Sequence, residues 1–96
     1  MRTANAVGSG RFGAVQSAAY SSTAGTTSAA VGAGVQRVRI VATTDAFLQI
    51  GIDPTATTSD TFIRANWPEY VAIKPGEKVS AIQSTASGTL NVTEIP

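Results

Sequence analysis

Three aspartates, Asp45, Asp53 and Asp60, are the residues of this chain whose types and spacing could do chemistry. If the loops that carry them meet, their oxygens could form a carboxylate pair or a Ca²⁺ site. Their spacing matches no known calcium-binding loop. Aspartate is also a common turn residue, because its side chain hydrogen-bonds the nearby backbone. We therefore expect three turns rather than a metal centre.

The remaining side chains offer little for catalysis. The sequence has no His and no Cys, so it has neither an imidazole base nor a thiolate. Serine and threonine are plentiful, but a hydroxyl nucleophile needs an activating base. Only Lys74 and Lys78 could serve, and both flank a turn that looks exposed. We expect a protein that is not an enzyme and holds no cofactor.

One glycine pattern resembles a nucleotide-binding motif. Residues 8–13 read GSGRFG, which fits G-x-G-x-x-G. A dinucleotide site needs this run between a strand and a helix, with an acidic residue about 20 positions later. We expect no strand before it, and the first acidic residue of the chain is Asp45. The pattern therefore predicts no cofactor site.

The elements that could position any site are clearest after residue 35. Short segments there alternate apolar and polar residues, and no segment sustains an apolar period of 3.6 residues. Such segments joined by short loops favour a sandwich or barrel. We expect an all-β domain over residues 36–96, a small six-stranded antiparallel β-sandwich or a reduced jelly roll. The predicted strands are 36–43, 46–52, 61–64, 69–73, 78–83 and 89–95.

The connections suggest how these strands follow one another. Residues 74–77 read KPGE and fit a type II turn, with proline second and glycine third, where φ must be positive. Sequential hairpins are the default topology. The longer loop between residues 52 and 61 could instead carry the chain across to a second sheet.

Residues 1–35 differ sharply in composition. Ala, Gly, Ser and Thr make up 24 of them, and six are glycine, which raises the entropy cost of ordering the segment. We predict a long, flexible or extended N-terminal arm that orders on a partner, although a leader without a role is also possible. Phe12 and Tyr20 are its expected anchors, with Arg2 and Arg11 as further partner contacts.

The uneven distribution of charge and the small size of the predicted core both favour binding to a partner protein. Residues 1–44 carry four arginines and no acid, whereas residues 45–96 carry three basic and six acidic residues. Such asymmetry can orient a protein on a partner or on copies of itself. A core drawn from about 60 residues is marginally stable, and disulfides are excluded here. We expect a homo-oligomer or a protein docked on a larger assembly.

Three residues of the body are ambiguous. Trp67 is either a core or corner filler or a contact with a neighbouring subunit, since tryptophan is enriched in interface anchors. Arg37 and Arg39 point to one side of the first predicted strand. They form either a solvated face that blunts an edge strand or a contact with a partner. The body is net negative and its aromatic residues are not set among Lys and Arg, so we expect no direct nucleic-acid contact.

Six short runs within residues 36–95 form a recognisable set of strands and turns. They are VRIVATT (38–44), PTAT (54–57), PEY (68–70), PGEKV (75–79), IQ (82–83) and GTLNVTE (88–94). With these runs, residues 36–95 resemble a family of small tailed-bacteriophage virion proteins, and no functional residue carries over from it. The resemblance implies a capsid decoration or cement protein, a β module seated on the head lattice.

The function expected from the resemblance is to stabilise the phage head by bridging capsid subunits. The expected partners are the major capsid protein and copies of the chain itself. The expected location is the capsid surface of the virion, after synthesis in the host bacterial cytoplasm, with no membrane contact. A neck or tail adaptor, or a fibre or spike component, remains an alternative. A carbohydrate-binding attachment module is a second one, for which Trp67 and Tyr70 are the only close aromatic pair.

Overall fold

The computed structural model describes residues 12–95, which form eight β-strands and no helix. The prediction of an all-β protein is therefore confirmed for this part of the chain. The strands are β1 (Val15–Tyr20), β2 (Gly25–Thr26), β3 (Arg37–Ala42), β4 (Ala46–Gly51), β5 (Thr61–Ile63), β6 (Glu69–Ala72), β7 (Lys78–Gln83) and β8 (Gly88–Ile95).

The strands form two four-stranded antiparallel sheets. The first sheet has the order β1-β8-β3-β6 and the second has the order β2-β7-β4-β5. The pairing is nested: β1 pairs with β8, β2 with β7, β3 with β6, and β4 with β5. The chain is thus arranged as one long hairpin that has been folded over itself.

Alternation along the strands explains which faces meet. In β3, Val38, Ile40 and Ala42 are fully buried, while the residues between them are more exposed. Leu90 and Val92 of β8 lie opposite Ala42 and Ile40 and are buried with them. Residues of β4, β5 and β7 belong to the same apolar cluster, so the core lies between the two sheets. Successive side chains of a strand point to opposite faces of the sheet, so alternating apolar and polar residues give each sheet one apolar face. The two apolar faces pack against each other.

The strand count and the long arm are corrected by the structure. All six predicted strands are present as β3 to β8, but β1 and β2 lie within residues 12–35. Tyr20, Val31 and Val35 from this segment are buried in the common core. An extended arm over residues 1–35 is therefore not confirmed, because residues 12–35 pack on the body and contribute a strand to each sheet. Residues 1–11 lie outside the described part of the chain.

Tyr20 is the main anchor of this N-terminal segment. It is 3% exposed, and its hydroxyl donates to the Thr44 carbonyl oxygen at 2.8 Å. The same hydroxyl accepts from the Thr44 backbone N–H at 3.2 Å and lies 2.8 Å from Thr44 Oγ1. Opposite Tyr20 stands Gly88, where a Cβ would come within 2.7 Å of the tyrosine hydroxyl oxygen. β1 is thus held by specific contacts as well as by its ladder.

The connectivity also differs from sequential hairpins. Of the eight described strands, only β4 and β5 are consecutive and pair with each other, so the loop between residues 52 and 60 stays within one sheet. The short connection 43–45 instead carries the chain from β3 in one sheet to β4 in the other. The predicted turn at residues 74–77 is confirmed. Gly76 has a φ of 90°, and the Glu77 N–H donates to the Lys74 carbonyl at 3.1 Å.

The two long sides of the molecule differ in how the edges of the sheets are covered. On the β1 and β2 side, the Gln16 side chain donates to the Ala29 carbonyl at 2.8 Å and accepts from the Ala29 N–H at 3.2 Å. Gly32 N–H donates to Glu94 Oε2 at 3.2 Å on the same side. On the other side, β5 and β6 are the edge strands of their sheets and do not pair with each other. The molecule therefore has one covered side and one open side.

Candidate partner-binding surface

An apolar groove runs along the open side, between the edge strands β5 and β6. It encloses about 260 Å³. Leu48 and Ile63 are 7% and 5% exposed, whereas Ile50 and Val71 are only partly buried and pack against the core. The groove is lined by Leu48, Ile50, Thr61, Phe62, Ile63, Glu69 and Val71. The core therefore reaches the surface here instead of being closed over.

Strand alternation places these side chains. Leu48 and Ile50 share the inward face of β4, and Leu48 pairs with Thr61 of β5. In the opposite sheet, Val71 pairs with Val38 and Glu69 pairs with Ile40, whose side chains are both fully buried. Because residues paired across a ladder share a face, Val71 and Glu69 point into the space between the sheets.

Among the described residues, Glu69 is the one charged side chain that lines the groove. It is partly buried, and within residues 12–95 its carboxylate makes no hydrogen bond or ion pair. A carboxylate beside apolar side chains loses part of its hydration, and this costs free energy unless a partner compensates for it. The groove therefore favours a ligand that is apolar along most of its length and carries a cation or hydrogen-bond donors near Glu69.

Three exposed aromatic residues lie on β5, on β6 and on the connection between them, and one of them, Phe62, lines the groove. Phe62 is 49% exposed and packs edge-on against Phe47, with ring centroids 5.6 Å apart. Tyr70 lies opposite Arg39 on the outer face of the other sheet. Trp67 is 55% exposed on the connection from β5 to β6, and the Arg64 guanidinium lies 5.5 Å from its ring centroid. An apolar groove with exposed aromatic residues on the strands that border it is typical of protein-binding surfaces.

The backbone of β6 is also available on this side. Ile73 N–H donates to the Gln36 carbonyl, so residues 73 and 36 form a hydrogen-bonded pair. Pairs alternate along an antiparallel ladder, and this directs the N–H and C=O groups of Tyr70 and Ala72 away from β3. Among the strands of residues 12–95, β6 is an edge strand, so these groups can accept an additional extended segment.

The structure separates the predicted anchors of the arm. Arg2 and Arg11 lie outside the described residues. Phe12 is 64% exposed, so it remains a candidate contact residue. Tyr20 was predicted to contact a partner, but it is buried in the core of its own chain and bonded to Thr44. Its ring is therefore inaccessible to a partner in this fold.

Arg37, Arg39 and Trp67 also have definite places. The two arginines lie on the outer face of β3, which is a central strand between β8 and β6. The proposal that they blunt an edge strand is therefore wrong. Trp67 does not fill the core, because more than half of its surface is exposed. It remains a candidate contact residue at the open side.

The three aspartates do not form a common site in the described residues. Asp45 accepts a hydrogen bond from the Ala65 N–H at 2.8 Å. Asp60 accepts from the Thr57 N–H at 2.7 Å, from the Thr57 hydroxyl, and from the Gln49 amide. The Thr57 backbone bond is the main reason that the pKa of Asp60 is lowered, and it outweighs the desolvation that raises this pKa. No group of three acidic side chains that could hold a metal occurs within residues 12–95.

The groove itself was not predicted from the sequence. The inward positions of Leu48 and Ile50 follow from alternation. The partial exposure of Ile50 depends on the topology, which puts β5 and β6 at neighbouring edges of the two sheets. The sequence feature that indicates the groove is Glu69, a charged residue at an inward position of an alternating strand.

The described residues contain no helix of the length and hydropathy needed to cross a membrane. Comparisons with protein-family models, with curated proteins and with solved structures found no match to this chain.

Proposed function

We propose that the chain is a non-enzymatic structural protein of a tailed-phage virion, a capsid decoration or cement protein that stabilises the head by bridging capsid subunits. The observation that carries this proposal is the open side, where an apolar groove, exposed aromatic residues and a free strand edge occur together. Such a surface suits lasting contact with a neighbouring protein. The sequence supplies no His or Cys for catalysis.

The nested strand pairing supports the same proposal. We infer that the fold is a complete eight-stranded jelly roll, because two sheets built from four nested antiparallel pairs define that architecture. Jelly rolls occur in viral capsid domains and also in lectins. This support is an analogy of fold, and a fold alone does not determine function. It agrees with the resemblance of residues 36–95 to phage virion proteins.

The proposed mechanism is a clamp across subunit boundaries. A module bound to two neighbouring subunits must lose contact area before they separate, so it raises the free energy of opening the shell. Many copies on one lattice add their effects, since each further contact in an assembled shell is effectively intramolecular. The expected partners are the major capsid protein and copies of the chain itself, on the virion surface.

The test uses phage heads assembled without this protein. Purified full-length protein should bind such heads at a copy number comparable with that of the capsid protein, measured by quantitative mass spectrometry. Trp67→Ala should reduce binding, whereas Val15→Ala, which changes an exposed residue on the opposite edge strand, should not. Native particles that contain only a few copies would favour a neck, tail or fibre component. Absence from purified particles would overturn the proposal.

A carbohydrate-binding attachment module remains the second candidate. The exposure of Trp67 and Tyr70 supports it, because aromatic faces commonly stack on sugar rings. On a glycan array, specific binding that is lost in both Trp67→Ala and Tyr70→Ala would favour this function. An array without any signal would remove it.

A further inference from the structure

The groove has a chemistry that an occupant must match. Within the described residues, its lining is apolar apart from Thr61 and Glu69, and Glu69 lacks an ionic partner. One wall carries the free backbone groups of β6. An extended segment with small apolar side chains and a positive charge on the same face would satisfy all of these features.

The first residues of this chain have that composition. Residues 1–11 read MRTANAVGSGR, with two arginines, no acid, and Val7 as the only β-branched apolar residue. Gly8, Ser9 and Gly10 separate residues 1–7 from the described residues, which begin at Phe12. Eleven residues in extended form reach about 35–40 Å, which is long enough to contact a neighbouring molecule.

The path to the chain's own groove is unfavourable. β1 and β6 lie at opposite edges of their sheet, about 14 Å apart at ordinary strand spacing. A direct route from Phe12 to β6 crosses the outer face of β3, where Arg37 and Arg39 lie. Arg11 would then come close to the like charge of Arg39, which is destabilising. The groove of a second copy can be reached without this crossing.

We propose that residues 1–7 of one copy bind in the β5–β6 groove of a second copy, as an added strand along β6. Arg2, Ala4 and Ala6 share the face of this strand that enters the groove. The two alanines supply the apolar contact, and the Arg2 guanidinium pairs with Glu69. The inference rests on the proposed function only in treating the open side as a partner-binding surface, and it names the partner as another copy of this chain. Repeated from copy to copy, the contact would link neighbouring modules on a lattice.

Disulfide trapping tests the contact directly, because the chain has no native cysteine. Full-length Ala6→Cys is mixed with full-length Thr61→Cys under mild oxidation. Thr61 lines the groove and is exposed, so a bound segment should give a cross-linked heterodimer. The matched control is Thr85→Cys, in an exposed loop outside the groove. We expect the Thr61 pair to cross-link several-fold faster than the Thr85 pair.

Charge variants test the role of Glu69. Glu69→Gln should raise the concentration for half-maximal cross-linking about fivefold, as loss of a partly exposed ion pair does. Glu94→Gln, on β8 away from the groove, should leave it unchanged. Glu69→Arg should abolish cross-linking, and Arg2→Glu in the other copy should restore it. Restoration by the charge swap is difficult to explain by altered folding alone.

Several outcomes would overturn the inference. Equal cross-linking of the Thr61 and Thr85 pairs would show no preference for the groove. Thr61→Cys homodimers at the same yield would indicate body-to-body contact. A double variant Ala6→Cys/Thr61→Cys that closes only within one chain would place the segment in its own groove. If cross-linking fails while the protein still decorates heads, this inference is wrong and the proposed function stands. If the Thr61 pair cross-links but the protein does not bind heads, this inference stands and the proposed function is wrong.

Discussion

Replacing Tyr20 by phenylalanine tests whether the N-terminal third is part of the folded body. The ring stays in place, but the hydroxyl that contacts the backbone carbonyl, the N–H and Oγ1 of Thr44 is lost. Leaving part-buried polar groups without a hydrogen-bond partner lowers the free energy of unfolding by about 1–2 kcal/mol. For a domain of this size, that lowers Tm by roughly 5–15 °C. Tyr20→Ala removes the whole buried ring and should cost about 3–5 kcal/mol.

The assay is urea and thermal unfolding followed by circular dichroism. Tyr70→Phe is the matched control, because Tyr70 is 51% exposed and makes no hydrogen bond to the described residues. We expect its Tm to equal that of the native protein. If Tyr20→Phe were as stable as Tyr70→Phe, and Tyr20→Ala left the unfolding transition unchanged, residues 12–35 would not belong to the cooperative unit. That result would restore the flexible arm expected from composition.

Three further perturbations have defined outcomes. Gly25→Ala should severely destabilise the protein in urea unfolding, because the new Cβ would lie 1.8 Å from the Ala19 carbonyl oxygen, and an unchanged midpoint would contradict this packing. Gly76→Ala should cost about 1–2 kcal/mol in the same assay, since φ is 90° there, whereas a stability gain would argue against the turn geometry. The pKa of Asp60 lies below its ordinary value of 3.8. Its contribution to the folding stability is therefore complete above pH 3.8 and is lost as the pH falls through the lower folded-state pKa. Asp60→Asn should remove this part of the acid dependence of Tm, and an identical pH profile would contradict the Thr57 hydrogen bonds.

Much of the fold can be predicted from local sequence after residue 35. The alternation of Val38, Ile40 and Ala42 requires a half-buried strand, and the structure confirms it. Pro75 followed by Gly76 specifies its turn because only glycine adopts the required positive φ without strain. These features depend on neighbouring residues alone, so the sequence determines them directly.

The first two strands could not be predicted in the same way. β1 reads VQSAAY, with small residues of low strand propensity, and β2 has only two residues. They form because tertiary contacts outweigh propensity, above all the burial of Tyr20 and the pairing of β1 with β8. Composition alone therefore made residues 12–35 look like an arm.

The candidate site depends on topology in the same manner. Ile50 and Val71 look like ordinary inward residues of separate strands. Only the nested pairing puts β5 and β6 at neighbouring sheet edges, and only that arrangement leaves their apolar residues partly open. Tyr20 gives the opposite case, since an aromatic residue that looked like an exposed anchor is buried.

A near-atomic map of the assembled virion tests the central claim that the β5–β6 side is the partner-binding surface. We predict that this side contacts neighbouring protein in every copy, with an added strand along β6 and a basic side chain beside Glu69. A map in which the β5–β6 side faces solvent while another face contacts the shell would contradict the claim.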